Sequence, residues 1–332
     1  MNPRALLLGL TMASAIAVLP GCGPSGSGSF MGRTVADLKK SQMLTYVAER
    51  SFVDYVGTTP MKVGERFHRS ADGFRLELLS VNGKVPGQMS AEEYGDFDRL
   101  DRLLAGGKGR YVAGMRDFEV RDSELFLGMY AWTVFEAPAA PVAGREVIVG
   151  EIKPLRMDRP WYRVWVDQES LVTLKYEEFL PSGVLASEME VLSIEYSFDT
   201  SQDMLRSLGR PGGTDLDGLE QVSSFVPFQA VVPSYLPEGF VLNACQVFPT
   251  PHGPAARFTY GDGIQELVVT QYADPPANEP LPEGVPVRVG MTVYGSTVDA
   301  DLVLLGTRVH VTCKVSDGEL MAVIEGLEQA TP

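Results

Sequence analysis

The chain has 332 residues, of which 45% are hydrophobic and 21% are charged, and its formal net charge is −15 at pH 7. This composition excludes a disordered polypeptide, and the length predicts two domains because a single core rarely grows beyond roughly 250–300 residues. The acidic balance excludes a nucleic-acid-binding surface and leaves no basic footprint for anionic lipid headgroups. Contact with a membrane is therefore expected only through acyl chains.

Residues 1–21 have the pattern of a bacterial secretory signal peptide. Arg4 supplies a positive charge, and residues 5–18 form an uncharged apolar run that is too short to span a bilayer. The run ends in Leu-Pro-Gly before Cys22, an order that resembles the lipobox of bacterial lipoproteins. That resemblance implies a lipid on Cys22, which becomes the mature amino terminus. The alternative is a plain secretory signal with an unmodified cysteine.

Residues 22–30 are rich in glycine and serine, a composition typical of a flexible tether. The tether would hold the folded part close to the membrane that carries the lipid. Gly23 stands where an aspartate would resemble the inner-membrane retention signal of some bacteria. We therefore expect a membrane-anchored lipoprotein of the cell envelope that faces the periplasm, with the outer membrane favoured.

Residues 31–200 are predicted to form a domain dominated by antiparallel strands. A short helix begins at Thr34, and a second begins at Ser90, which has Glu93 at the spacing of a capping box. Alternating or β-branched segments bounded by turn residues predict the strands. They cover residues 44–56, 61–69, 74–81, 146–152, 161–167, 172–179 and 188–196. A sheet of this size curls under its own twist, so a half-open β-barrel covered by helices is expected.

Residues 201–224 lack sustained periodicity and are predicted to be a linker, and residues 225–330 a second, smaller α/β domain. Its predicted strands cover residues 240–248, 255–260, 265–272, 287–293 and 307–315. A closing helix is indicated by Ser316 and Glu319, again at the spacing of a capping box. The overall fold class is therefore α+β.

Cys245 and Cys313 are the two cysteines besides Cys22. Both lie in strand-like segments of a protein that we expect to be exported to a compartment where thiols oxidise. We predict one disulfide between them. The alternative is a pair of buried free thiols.

The sequence does not contain a catalytic or metal-binding motif. Its histidines, His68, His252 and His310, lie in separate segments without a serine elbow or metal-ligand spacing, so we predict structural roles, no metal, no cofactor and no enzyme activity. Six aromatic residues are candidates for lining an acyl-chain pocket inside the curled sheet, although any one of them could equally be ordinary core. They are Tyr46, Phe52, Phe67, Phe74, Trp132 and Trp165.

Two segments carry a resemblance to a known family. Residues 161–196 read WYRVWVDQESLVTLKYEEFLPSGVLASEMEVLSIEY, and residues 232–240 read VPSYLPEGF. They resemble the strand, aspartate turn and strand, and the opening of the second domain, in the RseB and MucB family of sigma-E regulators. The resemblance implies a first domain like the lipoprotein carrier LolA, and binding to the periplasmic part of a membrane anti-sigma factor. It also implies release on binding lipid or lipoprotein.

Three functional hypotheses follow. The first is a lipid-tethered envelope regulator that binds a partner polypeptide and senses lipid or lipoprotein. The second is a lipid- or lipoprotein-binding protein without a regulatory role, which would need an open apolar cavity in the first domain. The third is an enzyme, which would need a cleft with convergent polar groups. A similar YLPEGF segment also occurs in envelope and sporulation proteins of unknown role, so this motif alone leaves function open.

Overall fold

A computed structural model describes residues 29–30, 33–55, 59–70, 73–91, 93–95, 97–98, 117–135, 139–156, 158–196, 213–250, 253–273, 287–288 and 297–329. The predicted signal peptide, Cys22, most of the tether, the later part of the Ser90 helix, residues 201–212 of the linker and His252 lie outside these residues. Within them, no helix has the length and apolar character needed to cross a membrane.

The first sheet has eight antiparallel strands in the order β5-β4-β3-β10-β9-β8-β7-β6. Its strands are β3 Tyr46–Asp54, β4 Met61–Ser70, β5 Gly73–Val81, β6 Tyr130–Val134, β7 Val147–Pro154, β8 Trp161–Asp167, β9 Thr173–Phe179 and β10 Leu185–Tyr196. A two-stranded ribbon, β1 Ser29–Phe30 and β2 Arg33–Thr34, precedes it. The edges of the sheet are β5 and β6, so it is open, as the predicted half-open barrel requires. All seven predicted strands are confirmed, whereas β6 was not predicted.

Side chains on the two faces of the first sheet alternate as a half-buried strand requires. The inner face is mostly apolar, with Phe52, Val164 and Leu174 each 0% exposed, and it also contains the buried charged residues Arg50 and Glu178. The outer face has charged side chains that pair across neighbouring strands, such as Arg163 with Glu151 at 2.9 Å and Lys175 with Glu190 at 3.2 Å. Much of the charge of the chain is thereby placed on a solvated surface.

Two short helices that the structure describes along their whole length lie near this sheet. They are α1 Val35–Ser41 and α2 Ser123–Met129. Leu38 of α1 and Phe126 of α2 are buried in the core of the first sheet. Asp122 caps α2 because its Oδ1 accepts hydrogen bonds from the backbone amides of Glu124 and Leu125. Ser90 and Glu93 form the predicted capping box, with the Ser90 amide 2.9 Å from Glu93 Oε2.

The second sheet has seven strands in the order β11-β13-β14-β15-β18-β17-β16. They are β11 Thr214–Leu216, β13 Val241–Thr250, β14 Gly253–Gly261, β15 Glu266–Ala273, β16 Val287–Arg288, β17 Val298–Leu304 and β18 Thr307–Cys313. A separate two-stranded antiparallel sheet is formed by β12 Val231–Pro233 and β19 Leu327–Gln329. The sheet begins at Thr214, so part of the predicted linker 201–224 belongs to it.

Helix α3, Asp317–Glu325, covers the second sheet. Leu320, Val323 and Ile324 of α3 belong to the same core as Phe258 and Val311 of the sheet. Ser316 caps the helix by accepting a hydrogen bond from the Glu319 amide, as its spacing predicted. The mixture of large antiparallel sheets and a few separate helices confirms the α+β class.

Candidate functional site

The inner face of the first sheet is covered by the segment before and within α2. Phe118 contacts Tyr162 with ring centroids 5.2 Å apart, and Val120 and Phe126 are 0% exposed. Between these apolar residues, Asp117 binds Arg50 at 3.0 Å. Because apolar and charged residues alternate, this segment fills the apolar wall and also neutralises the buried arginine beside it.

A turn of the second sheet reaches this covered face. We call residues 261–265, which join β14 to β15, the docking turn. Asp262 uses its two carboxylate oxygens differently. Oδ1 accepts hydrogen bonds from the backbone amides of Ile264 and Gln265 and so shapes the turn. Oδ2 accepts from Tyr130 Oη and Arg159 Nη1, each at 2.7 Å, and so fixes the turn to the first sheet.

Ile264 supplies the apolar part of this contact. It is 1% exposed and belongs to the core of the first sheet, although its chain segment belongs to the second. The backbone on either side is also held, since the Arg121 amide donates to the Gly263 carbonyl at 2.8 Å and Arg121 Nη1 donates to the Ile264 carbonyl at 2.6 Å. The turn is therefore anchored by backbone, charge and apolar contacts together.

A buried ion pair forms a further connection between the sheets. Lys314, which follows β18, donates to Glu178 of β9 at 2.8 Å, and the two side chains are 1% and 0% exposed. Glu178 also accepts hydrogen bonds from Tyr162 at 2.9 Å and Ser187 at 2.8 Å. Gln265 of the docking turn donates to Tyr162 at 2.8 Å. The hydrogen-bond network is thus continuous from the docking turn to Lys314.

Burial sets the electrostatics of this junction. Burial lowers the pKa of Lys314, and the neighbouring Glu178 offsets only part of that effect. Burial, followed by the charge of Asp262, raises the pKa of Tyr130 well above its usual value, and burial with Glu178 does the same for Tyr162. The two tyrosines are therefore neutral hydrogen-bond donors at physiological pH.

Tyr46 and Phe67 line a cavity of about 40 Å³ at the inner face. A cavity of this size holds a water molecule or two. Its other lining groups include Arg50, Arg69 and Asp117, so its wall is partly charged. The acyl-chain pocket that the aromatic residues suggested therefore stays a prediction.

The other four aromatic candidates are not among the residues that line this cavity. Phe74 stacks on Phe67 with centroids 5.4 Å apart, and Phe52 is fully buried core. Trp132 and Trp165 are partly buried and pack against the same core. Tyr46, Phe67 and Phe74 therefore lie together, whereas Phe52, Trp132 and Trp165 lie elsewhere in the first domain.

The predicted disulfide is wrong, because Cys245 and Cys313 are both free and buried. Cys245 lies on β13 and Cys313 on β18, with β14 and β15 between them. Three strand spacings amount to roughly 14 Å, well beyond the Cα separation of about 7 Å that a disulfide tolerates. Burial raises the pKa of Cys245 to about 11 and that of Cys313 to about 12, so both are protonated thiols.

The two histidines in the described residues lie in strands. His68 is 4% exposed, and burial lowers its pKa. His310 Nδ1 is 2.8 Å from Asp301, and its Nε2 is 2.9 Å from the Thr312 hydroxyl. Across the described part of the chain, no group of three or more His, Cys, Asp or Glu residues is placed to hold a metal ion.

Sequence reasoning missed the residues that join the two sheets. Arg159 and Asp262 lie in turns, where charged residues are ordinary. Glu178 lies in β9 and Lys314 follows β18. Both strands were predicted from their other residues. Both side chains are at most 1% exposed, and the available signal was a charged residue on the inward face of an alternating strand. A sequence does not show which distant residue neutralises such a charge.

Comparisons with known proteins bear on the fold. No family model matches the chain, and no curated protein matches it. Among the solved structures that resemble it, three do so along nearly their whole length. The complex of Pseudomonas aeruginosa MucA and MucB gives a TM-score of 0.51 at 15% identity, over 90% of this chain and 98% of that one. MucB with the periplasmic part of MucA gives 0.50 at 19%, over 90% and 97%. MucB alone gives 0.50 at 18%, over 89% and 96%. The chain therefore has a MucB-like fold, as the sequence resemblance implied.

Proposed function

We propose that this protein is an envelope regulator that binds the periplasmic part of a membrane anti-sigma factor and responds to lipid or lipoprotein. One observation supports the partner above others. The likeness to MucB covers both sheets in a single alignment, and MucB has been solved in complex with MucA. A likeness confined to one sheet would have supported only a shared domain type. The proposal assigns binding, and no chemical reaction, to the junction described above.

The proposal includes the organisation of the precursor. Residues 1–21 are removed as a signal peptide, Cys22 carries the lipid, and residues 22–30 tether a first domain of residues 31–200. The link to the second domain, predicted as residues 201–224, ends before Thr214, where the second sheet begins, and this domain extends to residue 330. The lipid holds the protein in the envelope, facing the periplasm and with the outer membrane favoured. A short tether limits reach, so the partner must come within the range that residues 22–30 allow.

The experiment that tests the partner uses the tagged full-length protein in its native host. Gentle purification from membranes, followed by mass spectrometry, is expected to recover a membrane protein with a periplasmic segment and a cytoplasmic sigma-factor-binding segment. The purified periplasmic segment is then expected to bind the purified protein directly in calorimetry. Recovery of lipid alone, without such a polypeptide, would support the lipid carrier without a regulatory role and reject the regulator.

The matched control is Cys22→Ser, which leaves the folded chain unchanged. The wild-type protein is expected in the membrane fraction with diacylglycerol on Cys22, and the variant in the soluble fraction. Direct binding to the periplasmic segment should be equal for the two, because both contain the same folded sheets. An unmodified, soluble wild-type Cys22 would reject the anchor without affecting the partner.

A further inference from the structure

We propose that the docking turn is an internal lid on the inner face of the first sheet, and that a hydrophobic ligand such as a single acyl chain binds there when the turn leaves. The inference rests on the lipid response in the proposed function and gives it a site and a mechanism. Ile264 fills apolar space in the docked state, so docking of the turn and binding of the ligand exclude one another.

The Ile264 side chain is 1% exposed in the core of the first sheet, which also contains Phe118, Phe126 and Tyr162. It is the only residue of the second sheet's chain segment in that core cluster as the structure describes it. When the turn departs, the core of the first sheet loses this apolar side chain. An acyl chain has the apolar character to replace Ile264 there.

The other contacts of the junction can be released, because most of them are polar or ionic. They include Asp262 with Arg159 and Tyr130, Lys314 with Glu178, Arg121 with the Gly263 and Ile264 carbonyls, and Arg156 and Arg159 with Glu238. A buried ion pair recovers little more than the hydration that its charges lost. When the sheets separate, these groups regain water. The junction therefore differs from an apolar core, whose opening exposes surface that water cannot compensate.

A ligand shifts a two-state equilibrium only when it binds one state more tightly than the other. Here the undocked state alone offers the apolar wall, so an acyl chain favours it. Because the turn is one of the contacts that hold the two sheets together, a ligand that displaces it also weakens the attachment of the second sheet. A partner that contacts both sheets would then lose its binding surface.

Glycine provides the sharpest test. Gly263, with φ +106°, packs against the backbone of α2, and an added Cβ would lie 2.7 Å from the Phe126 Cα and 2.9 Å from the Leu125 carbonyl carbon. Gly253, with φ +112°, has nothing within 4 Å of the same position. Gly263→Ala and Gly253→Ala therefore impose similar backbone strain on neighbouring hairpins. Only Gly263→Ala forces the turn away from the first sheet.

Two measurements decide the outcome. Hydrogen exchange at the Arg121 amide, which donates to the Gly263 carbonyl, reports docking. Titration with a dansyl-labelled fatty acid reports the site. We expect Gly263→Ala to exchange faster at Arg121 and to bind the fatty acid about tenfold more tightly than Gly253→Ala or wild type, as a shift toward the competent state requires. Saturating fatty acid should also accelerate Arg121 exchange in the wild-type protein.

A second variant keeps the test decisive. Ile264→Asp places a charge in the apolar cluster and leaves the glycine geometry unchanged. The inference is overturned if either variant exchanges faster at Arg121 but binds the fatty acid no better than Gly253→Ala. It is also overturned if the turn stays docked in both Gly263→Ala and Ile264→Asp. Neither result affects partner capture by the wild-type protein, which tests the proposed function separately.

Discussion

Asp167 organises the turn between β8 and β9 with both of its carboxylate oxygens. Oδ2 accepts hydrogen bonds from Arg145 Nε at 2.8 Å and from the hydroxyls of Ser170 and Tyr196 at 2.9 Å, and Oδ1 accepts from the Glu169 amide at 3.0 Å. The turn needs this support because Leu171 adopts a positive φ of 62°. An aspartate at this turn, which lies within residues 161–196, has a structural role. Its buried carboxylate fixes two strand ends and the loop at Arg145.

Replacing Asp167 by asparagine should destabilise the protein in a pH-dependent way. Burial acts to raise the pKa of Asp167, but the hydrogen bonds from Arg145 and its neighbours outweigh it, so the net pKa lies below the ordinary 3.8. A lowered pKa means that the stabilisation is complete above 3.8 and is lost as the pH falls through the folded-state pKa. We expect Asp167→Asn to lower the free energy of unfolding by about 1–3 kcal/mol at pH 7.

Urea unfolding between pH 7 and pH 2 measures this difference, which should shrink below about pH 4. The control is Glu169→Gln, because Glu169 also binds Arg145, at 2.6 Å, but is 81% exposed. It should change the free energy of unfolding by less than about 0.5 kcal/mol. Equal losses for the two variants, or a loss for Asp167→Asn that ignores pH, would contradict the role assigned to the buried carboxylate.

At the level of elements, the order of strands in the second sheet decides the chemistry of its cysteines. Cys245 pairs with Phe258 and Cys313 with Leu267, so neither faces the other across a single pair of strands. Alternation in the sequence predicted the strands themselves. It could not predict that β14 and β15 lie between β13 and β18, because the order of strands depends on long-range pairing.

We expect both thiols to be free in the purified protein. Alkylation in denaturant without prior reduction should modify Cys245 and Cys313 completely, whereas native protein at pH 8 should react slowly because burial raises both pKa values, to about 11 and about 12. The control is the same denatured sample after reduction, which should show no additional modification. A requirement for reductant would show that the two strands are not arranged as described.

The elements that the sequence failed to predict have physical explanations. β17 contains Asp299 and Asp301, and aspartate is depleted in strands. In the structure, Asp301 is satisfied by His310 of β18 at 2.8 Å, a contact that only the pairing of β17 with β18 creates. The docking turn was visible as a boundary between two predicted strands. Its role was not, because Tyr130 and Arg159, which hold Asp262, are more than a hundred residues away.

At the scale of the whole molecule, the buried pair of Lys314 and Glu178 links the two sheets, and its loss should uncouple them. Without the lysine, a docked Glu178 would be a buried, uncompensated charge, which typically costs about 3–5 kcal/mol. Separation of the sheets lets Glu178 regain water. Lys314→Met therefore lowers the free energy of unfolding by no more than the free energy of docking between the sheets. The double variant Lys314→Met with Glu178→Gln removes the unpaired charge and should restore most of the stability.

Two optical probes can follow the sheets separately. The three tryptophans, Trp132, Trp161 and Trp165, all lie in the first sheet, whereas far-ultraviolet circular dichroism reports both sheets. In urea, the two signals should coincide for wild type, separate for Lys314→Met and converge again in the double variant. The matched pair Lys175 and Glu190, 3.2 Å apart with side chains 22% and 47% exposed, should give a coupling energy below about 1 kcal/mol and no separation. Coincident transitions in Lys314→Met would mean that the docking turn and the contacts of Arg156 and Arg159 with Glu238 hold the sheets together without the ion pair. The release of the lid would then depend on Asp262 and Ile264 without any contribution from Lys314.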